Sequence, residues 1–211
     1  MTDLWVSSII GLSGVIIGSI ITSIYSLKIK SRETKLRIVE KIFDKRIQAH
    51  ENILILIKLI RSVISTGKAD IDGNLITYPS SMTSRENFDK FSNEIFLTFN
   101  LNAHWLNTEL EREFWFLQDY LTSLSNIIQN AEDLEFPRIG IIVKQDFIDL
   151  ASNLENLTFE FFRKDIYEMK INQHNEWHKY PKKETHSKFN KTTLVMNRSD
   201  IDKTIKNNNV A

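Results

Sequence analysis

The chain opens on one long uncharged run. Leu4 to Leu27 is 24 residues without a charged side chain, carrying Leu4, Trp5, Val6, Ile9, Ile10, Leu12, Val15, Ile16, Ile17, Ile20, Ile21 and Ile24. At about 1.5 Å per residue, a helix of that length reaches across a hydrocarbon core of roughly 30 Å. Trp5 and Tyr25 stand near its two ends, where amphipathic rings favour the membrane interface. A cleaved signal peptide would begin with a basic region and end at a small-residue cleavage site. Here only Asp3 precedes the run, and Lys28, Lys30 and Arg32 follow it directly. The pattern therefore predicts a single transmembrane anchor over residues 1–27. Basic residues close to a span stay on the cytoplasmic side. Lys28, Lys30, Arg32, Lys35 and Arg37 all lie C-terminal to the run, which places the N-terminus outside and the C-terminus in the cytoplasm.

Beyond the run the apolar spacing turns helical. Leu36, Val39, Phe43, Ile47, Leu54, Ile57 and Ile64 recur at three-to-four spacing and predict a stalk helix over 28–66. Its first half is polar enough to be solvated or to pair with a twin as a short coiled coil. Its second half, Ile53 to Ile57, is apolar all round and is expected to be buried. Breaker residues (Gly67, Asp72-Gly73-Asn74, Tyr78-Pro79-Ser80-Ser81) predict a loop over 67–83. A helical domain over 84–171 follows. Thr83 with Glu86 and Thr108 with Glu111 have capping-box spacing at two helix starts. Phe88, Phe91, Ile95 and Phe99 share one face of the first helix. Leu110, Phe114, Leu117, Leu121, Leu124 and Ile128 share a face of the second, and Phe147, Leu150, Leu154, Leu157 and Phe161 one of the third. Pro137 suits the first turn of that last helix, although Ile139 to Val143 could also be read as a short strand. From Asn172 the periodicity dies. Residues 172–211 read as a flexible basic tail, with room for a short helix near Asp200 to Ile205. The fold class expected is all-α: an anchor helix continuing into a stalk, a cytoplasmic helical bundle and a tail.

Composition adds two constraints. The 211 residues include no cysteine, which removes disulfides, thiolate metal sites and thiol nucleophiles together. The formal net charge is zero, yet charge is segregated. Lys28 to Arg46 holds eight basic and three acidic residues, Glu86 to Glu168 six basic and sixteen acidic, and Met169 to Ala211 nine basic and four acidic. A basic, acidic, basic order bears on where each part sits. Within the uncharged run, Ser7, Gly11, Gly14, Gly18 and Thr22 fall on an arc of roughly 80° at 3.6 residues per turn. Gly14-x-x-x-Gly18 is the small-residue spacing that lets helix backbones approach closely in lipid. It predicts self-association into a homo-oligomer, although Gly and Ser are also simply common in membrane helices.

Residues with catalytic or ligand chemistry are sparse. His174 and His178 would share a helical face, with His186 following, but the spacing is not that of a metalloprotease. Asp70-x-Asp72-Gly73-Asn74 starts like a calcium loop, yet the glycine is at the fourth position and Ser81 stands at the twelfth, so a turn is expected. Outside the run only Gly67, Gly73 and Gly140 are available, too few for a phosphate-cradling loop. The helical ribonucleases of the HEPN group carry Arg, four to six residues, then His. Arg46 and His50 have three between them, and Arg163 and His174 are too far apart. No cofactor, metal or catalytic residue is assigned. The tail, through Trp177, Lys179, Tyr180, Lys182, Lys183 and Lys188, has the chemistry to contact nucleic acid by charge and stacking, or the anionic inner leaflet.

Trp5 to Tyr25, the basic stretch Lys28 to Arg46 and the Asn102-Ala-His-Trp-Leu-Asn-Thr-Glu109 opening of the central helix give an outline that resembles a broad group of small bacterial single-pass membrane proteins. Members of that group are often found in phage-defence loci. The resemblance implies a membrane-anchored, non-enzymatic effector or sensor acting at the inner membrane against phage, with a protein partner or signal still to be identified. A membrane-tethered nucleic-acid-binding module and a localising adaptor are the alternatives.

Overall fold

The structure, a computed structural model, describes residues 2–166 and 179–206, with side chains over 17–164 and 179–205. The chain divides into two units, 1–45 and 46–211. Helix α1, Thr2–Arg61, starts in the first and ends in the second without a break. In the first unit Ile17, Ile20, Ile21 and Ile24 are exposed apolar side chains. Lys28, Lys30, Arg32, Lys35 and Arg37 are exposed as well. Among the described residues no helix is long and apolar enough to cross a membrane. Much of the expected span, residues 4–16, has its side chains outside the described set.

The second unit is a mostly helical bundle. Ile53, Leu56, Ile57 and Ile60 at the end of α1 are buried at three-to-four spacing, whereas Ile55 is 64% exposed. The expectation that Ile53 to Ile57 is buried all round is therefore corrected: one face of this turn remains open. The stalk helix also ends earlier than expected. After Arg61 the chain enters β1, Val63–Ala69, which pairs antiparallel with β2, Leu75–Pro79. The stretch read as loop over 67–83 is thus largely a hairpin. Its strands are built from β-branched and aromatic residues, Val63, Ile64, Ile76, Thr77 and Tyr78, which suit a pleated, partly exposed surface. The turn between them is held by the Asp70 carboxylate, which accepts from the amides of Asp72 at 3.0 Å and Asn74 at 2.8 Å. Gly73 sits there at φ +82°, where a side chain would be strained.

A 3-10 turn, Ser80–Thr83, leads into α2, Arg85–Asn102. Then come α3, Thr108–Ile127, and α4, Phe136–Glu160, with Pro137 in its first turn. Residues 139–143 are helical and not a strand. Both helix starts lie one residue away from the predicted caps. Ser84 accepts from the Asn87 amide and Asn107 from the Leu110 amide at 2.8 Å. In each case a neighbouring Ser or Asn outcompetes the threonine for the orphan amide. The apolar faces are as the periodicity predicts: Phe88, Phe91, Ile95 and Phe99 on α2, Leu110, Phe114, Leu117, Leu121 and Leu124 on α3, and Phe147, Leu150 and Leu154 on α4 are all buried. Each fully buried side chain of this kind contributes about 1.5–3 kcal/mol. Helix α4 lies at the centre and packs on β2, α3 and the C-terminal helices. Its approach to the 3-10 turn is close enough that a Cβ at Gly140 would lie 2.8 Å from Met82 Cβ.

The largest correction concerns the C-terminus. Residues 182–206 form three short helices: α5, Lys182–Asn190, α6, Thr193–Met196, and α7, Arg198–Lys206. Leu194 and Ile201 are completely buried in the same core as α3 and α4. Residues 179–206 are therefore part of the folded bundle rather than a flexible tail. The few apolar residues here are widely spaced, so no periodicity marks them.

Candidate functional site

Two carboxylates stand inside the apolar faces of α3 and α4. Glu113 lies three residues after Leu110 and beside Phe114, and is 1% exposed. Asp146 lies three residues after Val143 and beside Phe147, and is 4% exposed. A carboxylate buried to this degree needs partners, because an uncompensated buried charge costs several kcal/mol. The C-terminal segment supplies most of them. Glu113 Oε2 accepts from the Tyr180 hydroxyl at 2.8 Å and pairs with the Lys188 ammonium, while Asn153 Nδ2 donates to Oε1 at 3.4 Å. Asp146 Oδ1 accepts from the Thr193 amide at 2.7 Å, and Oδ2 from the Leu194 amide at 2.8 Å and the Tyr120 hydroxyl at 2.9 Å. Burial, then the neighbouring Asp146, push the Tyr120 phenol well above its ordinary range. Burial, then Glu113, raise Tyr180 as well. Both phenols stay protonated and act as donors.

Aromatic rings surround these contacts. Lys188 Nζ lies 4.7 Å from the Phe116 ring centroid and 4.1 Å from that of Tyr180, and Lys179 Nζ lies 4.1 Å from that of Trp115. Phe189 packs edge-on against Phe116 at 5.6 Å. The acidic stretch of α3 and α4 and the basic stretch that follows are thus two sides of one interface.

A second polar cluster sits where α1 enters the bundle. The His50 ring stacks on Phe161 at 3.4 Å, and Arg46 Cζ lies 4.8 Å from the same ring's centroid. Phe161 opens a π-helical stretch, Phe161–Ile166, at the end of α4. The Nδ1–H of His50 donates to the Arg46 carbonyl at 2.7 Å, which leaves Nε2 as a buried acceptor without a hydrogen-bond partner among the described residues. Burial, with the Arg46 guanidinium adding to it, pulls His50 down from 6.5 to about 4, against the carbonyl contact. Arg46 is 6% and His50 0% exposed, so this Arg–His pair is sealed from any substrate in this conformation.

The residues singled out from sequence fall into three groups. Gly18 and Thr22 are exposed; Thr22 Oγ1 donates to the Gly18 carbonyl at 2.8 Å, and a Cβ at Gly18 would meet nothing within 4 Å. Ser7, Gly11 and Gly14 carry no described side chains, and Trp177, His174 and His178 lie outside the described residues. Of the six tail residues, Lys182 and Lys183 are exposed, whereas Lys179, Tyr180 and Lys188 are engaged by the bundle as described above. The structure brings Tyr180 and Lys188 to Glu113, and the Thr193 and Leu194 amides to Asp146, and sequence reasoning missed the two acids. Their signal was present: each is an acidic residue on the core face of an amphipathic helix. Among the described residues no group of three or more His, Asp or Glu is placed to hold a metal. Compared with protein-family models, curated proteins and solved structures, the chain matches none of them.

Proposed function

We propose that this chain is a single-span anchor at the bacterial inner membrane carrying a cytoplasmic helical bundle. We further propose that it works as a non-enzymatic effector or sensor of the phage-defence kind. One observation carries the reading: helix α1 runs unbroken from Thr2 to Arg61, so the uncharged run, the basic stretch behind it and a buried face of the bundle belong to one element. The exposed isoleucines of its first unit suit lipid, and the lysines and arginine from Lys28 to Lys35 suit the anionic cytoplasmic surface. In this reading Ser7, Gly11, Gly14, Gly18 and Thr22 form the face on which spans of several copies associate, and association makes the membrane leaky.

Inducing the protein in bacterial cells while following a membrane-potential dye tests the mechanism. Depolarisation, during phage infection or on overexpression, is expected. No depolarisation under either condition removes the leak. Replacing Gly14 and Gly18 with Leu is expected to abolish the effect while leaving the protein in the membrane. Undiminished depolarisation by that variant would rule out association through the small-residue face.

A further inference from the structure

Helices α1 to α4 and the C-terminal segment are held together by different kinds of contact. Helix α3 buries a continuous stripe of large apolar side chains, whereas α5 buries no residue, α6 only Leu194, and Ile201 is the buried side chain of α7. The rest of the docking combines partly buried packing of Tyr180, Phe189 and Ile205 on the core with directional polar contacts: Tyr180 and Lys188 on Glu113, and the Thr193 and Leu194 amides on Asp146. With the segment lifted away, Glu113 would keep the Asn153 amide and Asp146 the Tyr120 hydroxyl. Two carboxylates sunk in an apolar face with so few partners form a receptor for a ligand that brings an ammonium and N–H or O–H donors.

We propose that residues 179–206 are a displaceable latch, an intramolecular ligand seated on the α3–α4 face, and that the vacated face takes up a basic helical segment with the chemistry of Tyr180 and Lys188. The occupant is the chain's own segment. It opens as a unit while α1 to α4 stay folded, because it buries few large side chains whereas α2, α3 and α4 each bury a stripe of them. Opening bares the carboxylates of the bundle and the lysines of the segment together. The inference rests on contacts inside the second unit and does not depend on the membrane reading.

The full-length protein in detergent tests this with two measurements. In the first, a labelled peptide spanning residues 179–206 is titrated onto the wild type and onto Lys188→Glu combined with Tyr180→Phe. Saturable binding is expected for the double variant, at least about tenfold tighter than for the wild type, whose site is filled, and lost when Glu113→Gln and Asp146→Asn are added. Absence of binding to the double variant, or binding that survives removal of both carboxylates, overturns the proposal. The second measurement needs no variant: hydrogen exchange of the wild type. Amides of α5 and α7 are expected to exchange together, at least about tenfold faster than the buried amides of α3 and α4. Equal protection of the C-terminal helices and α3 shows the segment to be an integral part of the fold and overturns the latch.

Discussion

His50 and Gly140 set conditions that single substitutions can read. His50 is held neutral, pulled from 6.5 to about 4 by burial and the nearby Arg46. The unfolded chain binds a proton there that the folded chain refuses, so the group's contribution is intact above about pH 6.5. It is lost as the pH falls toward about 4. At about 1.4 kcal/mol for each tenfold change in proton affinity, the loss is on the order of 3 kcal/mol. Urea unfolding at pH 7 and pH 4.5 should therefore show a smaller stability drop for His50→Phe than for the wild type. An equal drop in the two proteins would mean that His50 titrates normally. Gly140 responds to sterics instead. A methyl at that position would press on Met82 and Tyr78, so Gly140→Ala should lower stability by about 1–3 kcal/mol despite the better helix propensity of alanine. An unchanged or raised melting temperature would contradict the close approach of α4 to the 3-10 turn.

At the level of elements, legibility followed the number of apolar residues on a face. Helices α2, α3 and α4 were visible because each buries a stripe at three-to-four spacing, and Phe114 or Leu154 needs no partner knowledge to be placed inside. The hairpin was not visible: Gly67 and Asp72-Gly73-Asn74 are breaker chemistry, and the Ile76-Thr77-Tyr78 strand beside them is too short to outweigh it. Helix α7 was legible in part, as the short helix expected near Asp200 to Ile205, whereas α5 and α6 were not, because polar contacts with remote residues hold them and such pairing leaves no period in the sequence. Glu113 and Asp146 hold these helices down, and the same acids were hidden inside a general acidic stretch. Their removal should act on the C-terminal segment first. Asp146→Asn keeps the shape but turns part of the acceptor into a donor facing the Thr193 and Leu194 amides, and should cost about 1–3 kcal/mol. Limited proteolysis should then cut between 182 and 206 while α3 and α4 persist. Uniform degradation of the whole bundle would contradict that order.

Over the whole molecule, the zero net charge resolves into three roles. The basic stretch from Lys28 to Arg46 follows the uncharged run along α1, the acidic stretch carries the two carboxylates that receive the C-terminus, and part of the basic C-terminus is taken up by the bundle, Lys188 on Glu113 and Lys179 on the Trp115 ring. Lys182 and Lys183 remain exposed to solvent. The reading of the chain as an anchored effector hangs on residues 4–27 residing in lipid. Alkaline carbonate extraction of membranes from cells expressing the full-length protein measures this directly. An integral single-span protein stays in the membrane pellet and is released only by detergent, at full length; recovery in the carbonate supernatant, or of a product trimmed near residue 27, would contradict it.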